Sequence, residues 1–213
     1  MKNDKASLIT FFAFALLIPL SLFSQKKATY SIFLTPEFSF TNIRNPDNLV
    51  LGGRDEPDEG IGFGYAIGGA LEYEMTNSVI IRAGIQYEIS KYRYNADFGN
   101  PFDAENFARI NSVGIPVNLG KRINTKKEQL SYLPSLGILF NINLSEDSNG
   151  FITINPAKLS SFFAWEIEQT LTNNLRFGIE PFFKYTPNEF TIFANQVEVR
   201  TRFEMGMNLK VKF

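Results

Sequence analysis

The chain has 213 residues, of which 44% are apolar, 15% aromatic and 20% charged, and its formal net charge is −1. This size and composition fit one β-barrel domain, and the balanced charge gives no reason to expect nucleic acid as a partner. The sequence has no cysteine and no histidine, which excludes disulfides, Cys/His zinc sites and catalysis with histidine as the base. We expect no catalytic residue, no metal site and no cofactor.

The first residues have the three regions of a cleaved secretory signal peptide. In order, these are Lys2 and Lys5, an apolar run over residues 8–20, and the small polar residues Ser21 and Ser24. The apolar run is short for a spanning helix, which needs about 20 residues. We predict a signal peptide over residues 1–24 and one exported domain over residues 25–213. The alternative is a retained membrane anchor.

Beyond the signal peptide, apolar and polar side chains alternate in eight segments, which predicts eight β-strands. The segments cover approximately residues 30–41, 61–75, 79–90, 110–120, 130–142, 159–171, 175–185 and 197–213. Phe33 and Pro36 interrupt the alternation of the first segment. Several segments reach the roughly ten residues that a strand needs to cross a bilayer at a tilt.

The connections between these segments differ in length in a regular way. Residues 76–78 and 172–174 are short turns, and residues 121–129 form a turn of medium length. Long loops are predicted over residues 42–60, 91–109, 143–158 and 186–196. An even strand number, with short turns at one end and long loops at the other, is typical of outer-membrane barrels. The sequence therefore predicts an all-β, antiparallel up-and-down transmembrane β-barrel of about eight strands with a polar, charged lumen. This outer-membrane barrel domain covers residues 25–213.

A soluble barrel of the lipocalin type, with its apolar faces turned inward around a ligand, is the main structural alternative. Three features favour the membrane. The polar face of the second segment is mostly glycine and alanine, which suits a narrow lumen. The chain closes on the aromatic Phe213, and further aromatic residues recur near strand ends, as interfacial girdles do. These are Tyr30, Tyr73, Tyr87, Tyr132, Trp165 and Tyr185.

The inward faces carry both signs of charge, which predicts an ion-paired network because an unpaired buried charge is costly. Glu74 and Glu88 lie on the same inward faces. The predicted network consists of Glu72, Arg82, Glu166, Glu168, Arg176, Glu180, Lys184, Glu198, Arg200, Arg202 and Glu204.

Charge pairing also predicts how neighbouring strands align. Across the turn at residues 76–78, Met75 faces Val79 and Glu72 lies opposite Arg82. For the last two strands, two registers are favourable. One places Lys184 opposite Glu198 and Glu180 opposite Arg202. The other places Glu180 opposite Arg200 and Arg176 opposite Glu204.

The stretch Gly114-Ile115-Pro116-Val117-Asn118-Leu119 resembles the Ile-Pro-hydrophobic pattern in a middle strand of the PorT-like outer-membrane β-barrel proteins. Pro181-Phe182-Phe183 is similar to their penultimate strand. The resemblance implies an outer-membrane location and, for PorT itself, a part in protein secretion. The terminal strand, with Leu209, Val211 and Phe213 on one face, is typical of the signal that the outer-membrane assembly machinery of Gram-negative bacteria recognises.

We therefore expect a non-enzymatic outer-membrane protein that displays its long loops for binding, or that has a structural role in the envelope or in secretion. The expected partners are outer-membrane lipid, the barrel assembly machinery during biogenesis, and an extracellular or periplasmic protein. Alternatives are a soluble ligand-binding barrel and an outer-membrane enzyme without histidine chemistry. A wide diffusion pore is disfavoured, because side chains fill the lumen of an eight-stranded barrel.

Overall fold

The structure is a computed structural model, and it describes residues 28–43, 60–75, 78–94, 106–125, 129–148, 152–172, 175–187, 190–192 and 200–213. The predicted signal peptide and most of the predicted long loops lie outside these residues. In the described part of the chain, no helix is long and apolar enough to cross a membrane.

The described residues form eleven strands, and the eight long ones have between 12 and 19 residues each. The long strands are β1 Ala28–Ile43, β2 Gly60–Glu74, β3 Val79–Tyr94, β4 Asn106–Lys121, β6 Leu130–Ser148, β8 Ala157–Thr172, β9 Leu175–Thr186 and β11 Arg200–Lys212. The short strands are β5 Ile123–Asn124, β7 Ile152–Ile154 and β10 Phe190–Ile192.

Each long strand pairs in antiparallel fashion with its neighbours in chain order, and β1 pairs with β11 to close the barrel. Following the pairs once around the barrel from Tyr30 leads back to β1 at Phe40, a shear of ten residues. A closed barrel leaves none of its eight strands with an unpaired edge. The predicted fold class is confirmed.

The two faces of the barrel differ sharply in chemistry. Large apolar side chains point outward, and Leu136 and Ile61 keep 67% and 64% of their surface exposed. Charged side chains point inward, and Glu166 and Lys212 are both 0% exposed. A lipocalin-type barrel would show the reverse arrangement. An apolar exterior around a polar interior is the arrangement of a barrel in a lipid bilayer.

Strand β6 runs six residues beyond its predicted end at Ile142. A bulge shifts its register against β4 between Asn111 and Ser112, so that Asn111 pairs with Ser145 instead of continuing the earlier alignment. An extra residue in one strand reverses the alternation beyond it. The two-residue period is therefore lost at this point, which is why the sequence predicted a loop there. Strands β7 and β10 pair with each other as a separate two-stranded sheet.

The predicted register of β2 and β3 is confirmed, because Glu72 pairs with Arg82 and the Met75 amide donates to the Val79 carbonyl at 2.7 Å. Both predicted registers of β9 and β11 are wrong. Lys184 lies opposite Glu204, and Glu180 lies opposite Asn208.

The physical reason is that the carboxylate of Glu180 is neutralised by two cations that do not lie directly opposite it. Arg82 of β3 approaches it from across the lumen at 2.6 Å, and Lys210, two residues along the adjacent β11, approaches it at 2.7 Å. The prediction had considered only charges on the two adjacent strands. Neutralisation by Arg82 of a distant strand and by the diagonal neighbour Lys210 removes the need for a charged partner directly opposite Glu180.

Candidate functional site

The candidate site is the charged lumen, which contains two clusters of ion-paired side chains. The first, the terminal cluster, lies at the end of the barrel where Tyr30 and Phe213 are hydrogen-bonded to each other. It consists of Glu72, Glu74, Arg82, Arg122, Glu166, Glu168, Arg176, Glu180, Lys210 and Lys212. The second, the loop-end cluster, lies toward the long connections. It consists of Glu37, Glu88, Lys158, Lys184, Arg202 and Glu204.

Arg82 is at the centre of the terminal cluster. Its Nε donates to Glu72 Oε1 at 2.8 Å, its Nη1 donates to Glu180 Oε2 at 2.6 Å, and its Nη2 contacts Glu166. The three carboxylates come from β2, β9 and β8, so one guanidinium links strands across the lumen. Lys210 Nζ lies 2.7 Å from the same Glu180 carboxylate. The five-donor fork of arginine suits this multiple pairing.

Lys212 completes the terminal cluster. Its Nζ lies 2.6 Å from Glu166 Oε1, 2.6 Å from Glu168 Oε2 and 2.8 Å from Glu72 Oε1. Nearer the barrel end, Arg176 Nη1 donates to Glu168 Oε1 at 3.0 Å. The cluster contains five glutamates and five basic residues, so its formal charge is zero. Neutrality allows so many charges to be buried together.

The loop-end cluster is built around Lys184. Its Nζ lies 3.1 Å from Glu204 Oε2, 3.2 Å from Glu37 Oε2 and 3.5 Å from Glu88 Oε2. Arg202 contacts Glu204 and lies 3.4 Å from Glu88 Oε1. The three carboxylates come within 4.8 Å of one another, a separation that would suit a hard cation. Here Lys184 and Arg202 already supply the positive charge.

An aromatic layer separates the two clusters. On β9, Phe182 lies between Glu180 of the terminal cluster and Lys184 of the loop-end cluster. Each inward phenylalanine of the layer covers a glycine on the neighbouring strand, so closely that a Cβ on that glycine would lie 2.5 to 2.7 Å from the ring Cζ. The pairs are Phe33 with Gly68, Phe162 with Gly137, and Phe182 with Gly206. Glycine at these positions makes room for the rings, and Phe33 interrupts the sequence alternation for this reason.

The structure places nine of the eleven predicted network residues in the lumen. These are Glu72, Arg82, Glu166, Glu168, Arg176, Glu180, Lys184, Arg202 and Glu204. Glu198 and the side chain of Arg200 lie outside the described residues. Leu209, Val211 and Phe213 lie on the outer apolar face of β11 and its end; their predicted role as an assembly signal stays a prediction.

The sequence-based network left out several residues that the structure brings into the clusters. Glu37, Lys210 and Lys212 lie on polar faces of predicted strands, so the alternation itself contained the signal. Arg122 follows the last residue of β4, within the predicted turn, and reaches Glu74 Oε2 at 2.7 Å with its Nη1. Only the tertiary structure shows that this turn residue points into the barrel.

These features define an up-and-down transmembrane β-barrel of eight strands whose lumen is filled by ion pairs. The fold is similar to that of the outer membrane protein OprG from Pseudomonas aeruginosa, with a TM-score of 0.56, 10% identity, and coverage of 88% of this chain and 97% of that chain. At this identity, the likeness establishes the fold alone.

Two further solved structures are less similar. Neisserial surface protein A has a TM-score of 0.39 and 14% identity, covering 85% of this chain and 97% of that chain. The Ail protein of Yersinia pestis, solved with the heparin analogue sucrose octasulfate, has a TM-score of 0.32 and 12% identity, covering 86% of this chain and 99% of that chain. No family model matches the sequence. No curated protein matches it either.

Proposed function

We propose that the chain is an outer-membrane protein of a Gram-negative bacterium, exported with a cleaved signal peptide over residues 1–24. In this proposal it acts without enzyme chemistry, as a rigid barrel whose long connections bind a protein partner in an envelope-related or secretion-related role. The observation that carries the proposal is the occupation of the lumen by two neutral ionic clusters. Since the interior is filled, the ends of the barrel are the surfaces on which the protein acts.

The burial of the lumen charges supports this reasoning. Glu88 and Lys212 are 0% exposed, and Arg202 is 1% exposed. Charged groups so shielded from water are poorly placed to bind a diffusing substrate, and their charge is already paired. The connections that follow β1 and β3 are better placed than the lumen to bind a partner, because loops on a rigid frame usually carry recognition. The resemblance to PorT-like proteins at Pro116 and Pro181 supports a role in secretion.

Replacing the long connections one at a time with short Gly/Ser linkers tests the proposal. The targets are residues 44–59 and 95–105, and a matched replacement of residues 126–128 alters the opposite end of the barrel. Adhesion, secretion and envelope integrity are then assayed in the native bacterium. We expect at least one long-connection variant to lose one of these properties, while the 126–128 variant keeps them.

Folding of each variant is checked by the faster migration of an unboiled closed barrel on SDS gels, compared with a boiled sample. A tag inserted within residues 44–59 should be cleaved by protease added to whole cells, and a tag within 126–128 should be protected. If all folded long-connection variants behave as the wild type in every assay, the binding role is wrong. This accessibility is expected because the longer connections of outer-membrane barrels face the cell exterior. The opposite accessibility would show that the long connections face the periplasm.

A further inference from the structure

Two cations lie directly opposite each other on the outer face of the barrel. Lys91 on β3 and Arg109 on β4 are cross-strand partners, and both side chains are exposed. Directly opposite residues have Cβ atoms about 4.5–5.5 Å apart, and like charges at this separation destabilise the sheet. Neither side chain forms an ion pair with any other described residue. An anion bound between them would relieve the repulsion.

The surroundings of this pair are those of an amphiphile site. Lys91 lies opposite Phe63 of β2, which is 49% exposed and packs edge-on against Phe38 with ring centroids 5.4 Å apart. Further along β3, toward the terminal end, the same outer face continues with the exposed Tyr87. The two cations therefore stand at the loop-end rim of the apolar belt. This is the level at which lipid headgroups meet a transmembrane barrel.

The bulge in β6 places one carboxylate, that of Asp147, on the outer face next to the two cations. Beyond it, Asp147 lies opposite Arg109 and is exposed, and Asn111 Nδ2 donates to Ser145 Oγ at 2.6 Å. Lys91, Arg109 and Asp147 together keep a net charge of +1. The site is therefore cationic, with its positive charge concentrated between β3 and β4.

We infer that Lys91 and Arg109 bind the phosphate group of an anionic lipid, whose acyl chains lie against the apolar belt near Phe63. A guanidinium binds phosphate through two parallel hydrogen bonds, and the neighbouring ammonium adds a point charge. The aromatic surface beside Lys91 favours a lipid over a free phosphate, because acyl chains gain from contact with it. The inference rests on the proposed membrane location and adds the lipid chemistry that the barrel rim recognises.

The test uses the full mature chain refolded in a neutral detergent, with phosphatidic acid as the probe and native mass spectrometry to count bound lipid. Phosphatidylcholine and inorganic phosphate are titrated separately as competitors. We expect Lys91→Gln combined with Arg109→Gln to weaken phosphatidic acid binding roughly thirtyfold, as two cations near a lipid surface imply. Asp147→Asn should strengthen binding by about fivefold, because it removes the opposing charge.

Lys121→Gln is the matched control, since Lys121 is exposed at the other end of β4 and should leave phosphatidic acid binding at this site unchanged. Unchanged binding in the double variant, or equal loss in the Lys121 variant, overturns the inference. Competition by inorganic phosphate as strong as that by the lipid also overturns it in favour of a free anion. The SDS-gel shift is measured for every variant. A wild type that shows the shift but binds no phosphatidic acid contradicts this inference alone, whereas a wild type without the shift contradicts the proposed membrane barrel.

Discussion

Arg82 shows how a single side chain holds the interior of this barrel together. It contacts three glutamates from three strands, and its own side chain is 7% exposed. Removing such a partner costs more than the pair itself contributes, because the carboxylates that remain are buried without their charge balance. The terminal cluster is therefore sensitive to the loss of one member and tolerant of compensated double changes.

We predict that Arg82→Gln lowers the free energy of unfolding by about 3–5 kcal/mol, measured by urea titration in detergent micelles. Adding Glu166→Gln to this variant should recover part of the loss, since one uncompensated carboxylate is removed. Arg176→Gln is the control, because Arg176 is 27% exposed at the end of the barrel and should cost about 1 kcal/mol or less. Equal losses of unfolding free energy for Arg82→Gln and Arg176→Gln would show that burial of the ion pairs does not add to their contribution to stability.

The glycines of the aromatic layer lead to a second prediction at the residue scale. A Cβ on Gly137 would lie 2.5 Å from Phe162 Cζ and 2.7 Å from the Val117 carbonyl oxygen, and the backbone contact cannot yield easily. Gly137→Ala should therefore destabilise the barrel by about 1–3 kcal/mol. Gly69→Ala is the control, because a Cβ there meets only the Ser31 carbonyl at 3.5 Å. The same urea titration compares the two, and equal stability of both variants would contradict the proposed packing.

Prolines mark interruptions in the strand ladders. Between β3 and β4 the paired residues skip from Val117 to Gly114, which leaves out Pro116. Between β8 and β9 they skip from Phe182 to Ile179, which leaves out Pro181. Proline has no N–H to donate, so one of its two ladders is interrupted at each position. Because Pro116 and Pro181 still pair with β6 and β11, respectively, the barrel stays closed at both places.

The alignment of β9 with β11 can be tested with introduced cysteines, since the natural chain has none. Phe183 and Met205 are direct partners on the outer face, and opposite residues in a sheet have the Cα separation that a disulfide needs. We predict that a Phe183→Cys and Met205→Cys pair forms a disulfide under mild oxidation, detected by its altered migration on a non-reducing gel after denaturation. A Phe183→Cys and Val199→Cys pair corresponds to one of the two registers predicted from sequence, the one with Lys184 opposite Glu198, and should stay reduced. The reverse outcome would contradict the register of the structure and support that predicted register.

At the scale of the whole molecule, the two clusters and the aromatic layer occupy the lumen over the height that the described side chains cover. We predict that the mature protein in a planar bilayer shows no large, stable single-channel conductance, because paired charges and rings exclude a water column. A porin recorded in the same bilayer provides the positive control. Reproducible conductance steps of porin size would contradict the filled lumen and would also weaken the proposed function.

The sequence alone determined the features that depend on local pattern. The two-residue period defined eight strands, it separated an apolar face from a polar one, and it placed Glu37, Lys184 and Lys210 on polar faces. The three-residue turn at residues 76–78 was short enough to define the register of β2 and β3. These features follow from the alternation of side chains along an extended backbone, which is a property of neighbouring residues.

Apart from the Glu72–Arg82 pair beside the short turn at residues 76–78, only the tertiary structure decided which charges meet. The 13 residues between β9 and β11 leave their register open, because a long connection permits many alignments at little cost in free energy. The register follows instead from contacts across the lumen, where Lys184 meets Glu37 and Glu88 from β1 and β3. The same closure brings Arg122 from a turn into the terminal cluster. Such contacts join residues far apart in the chain, and they exist only once the barrel has closed.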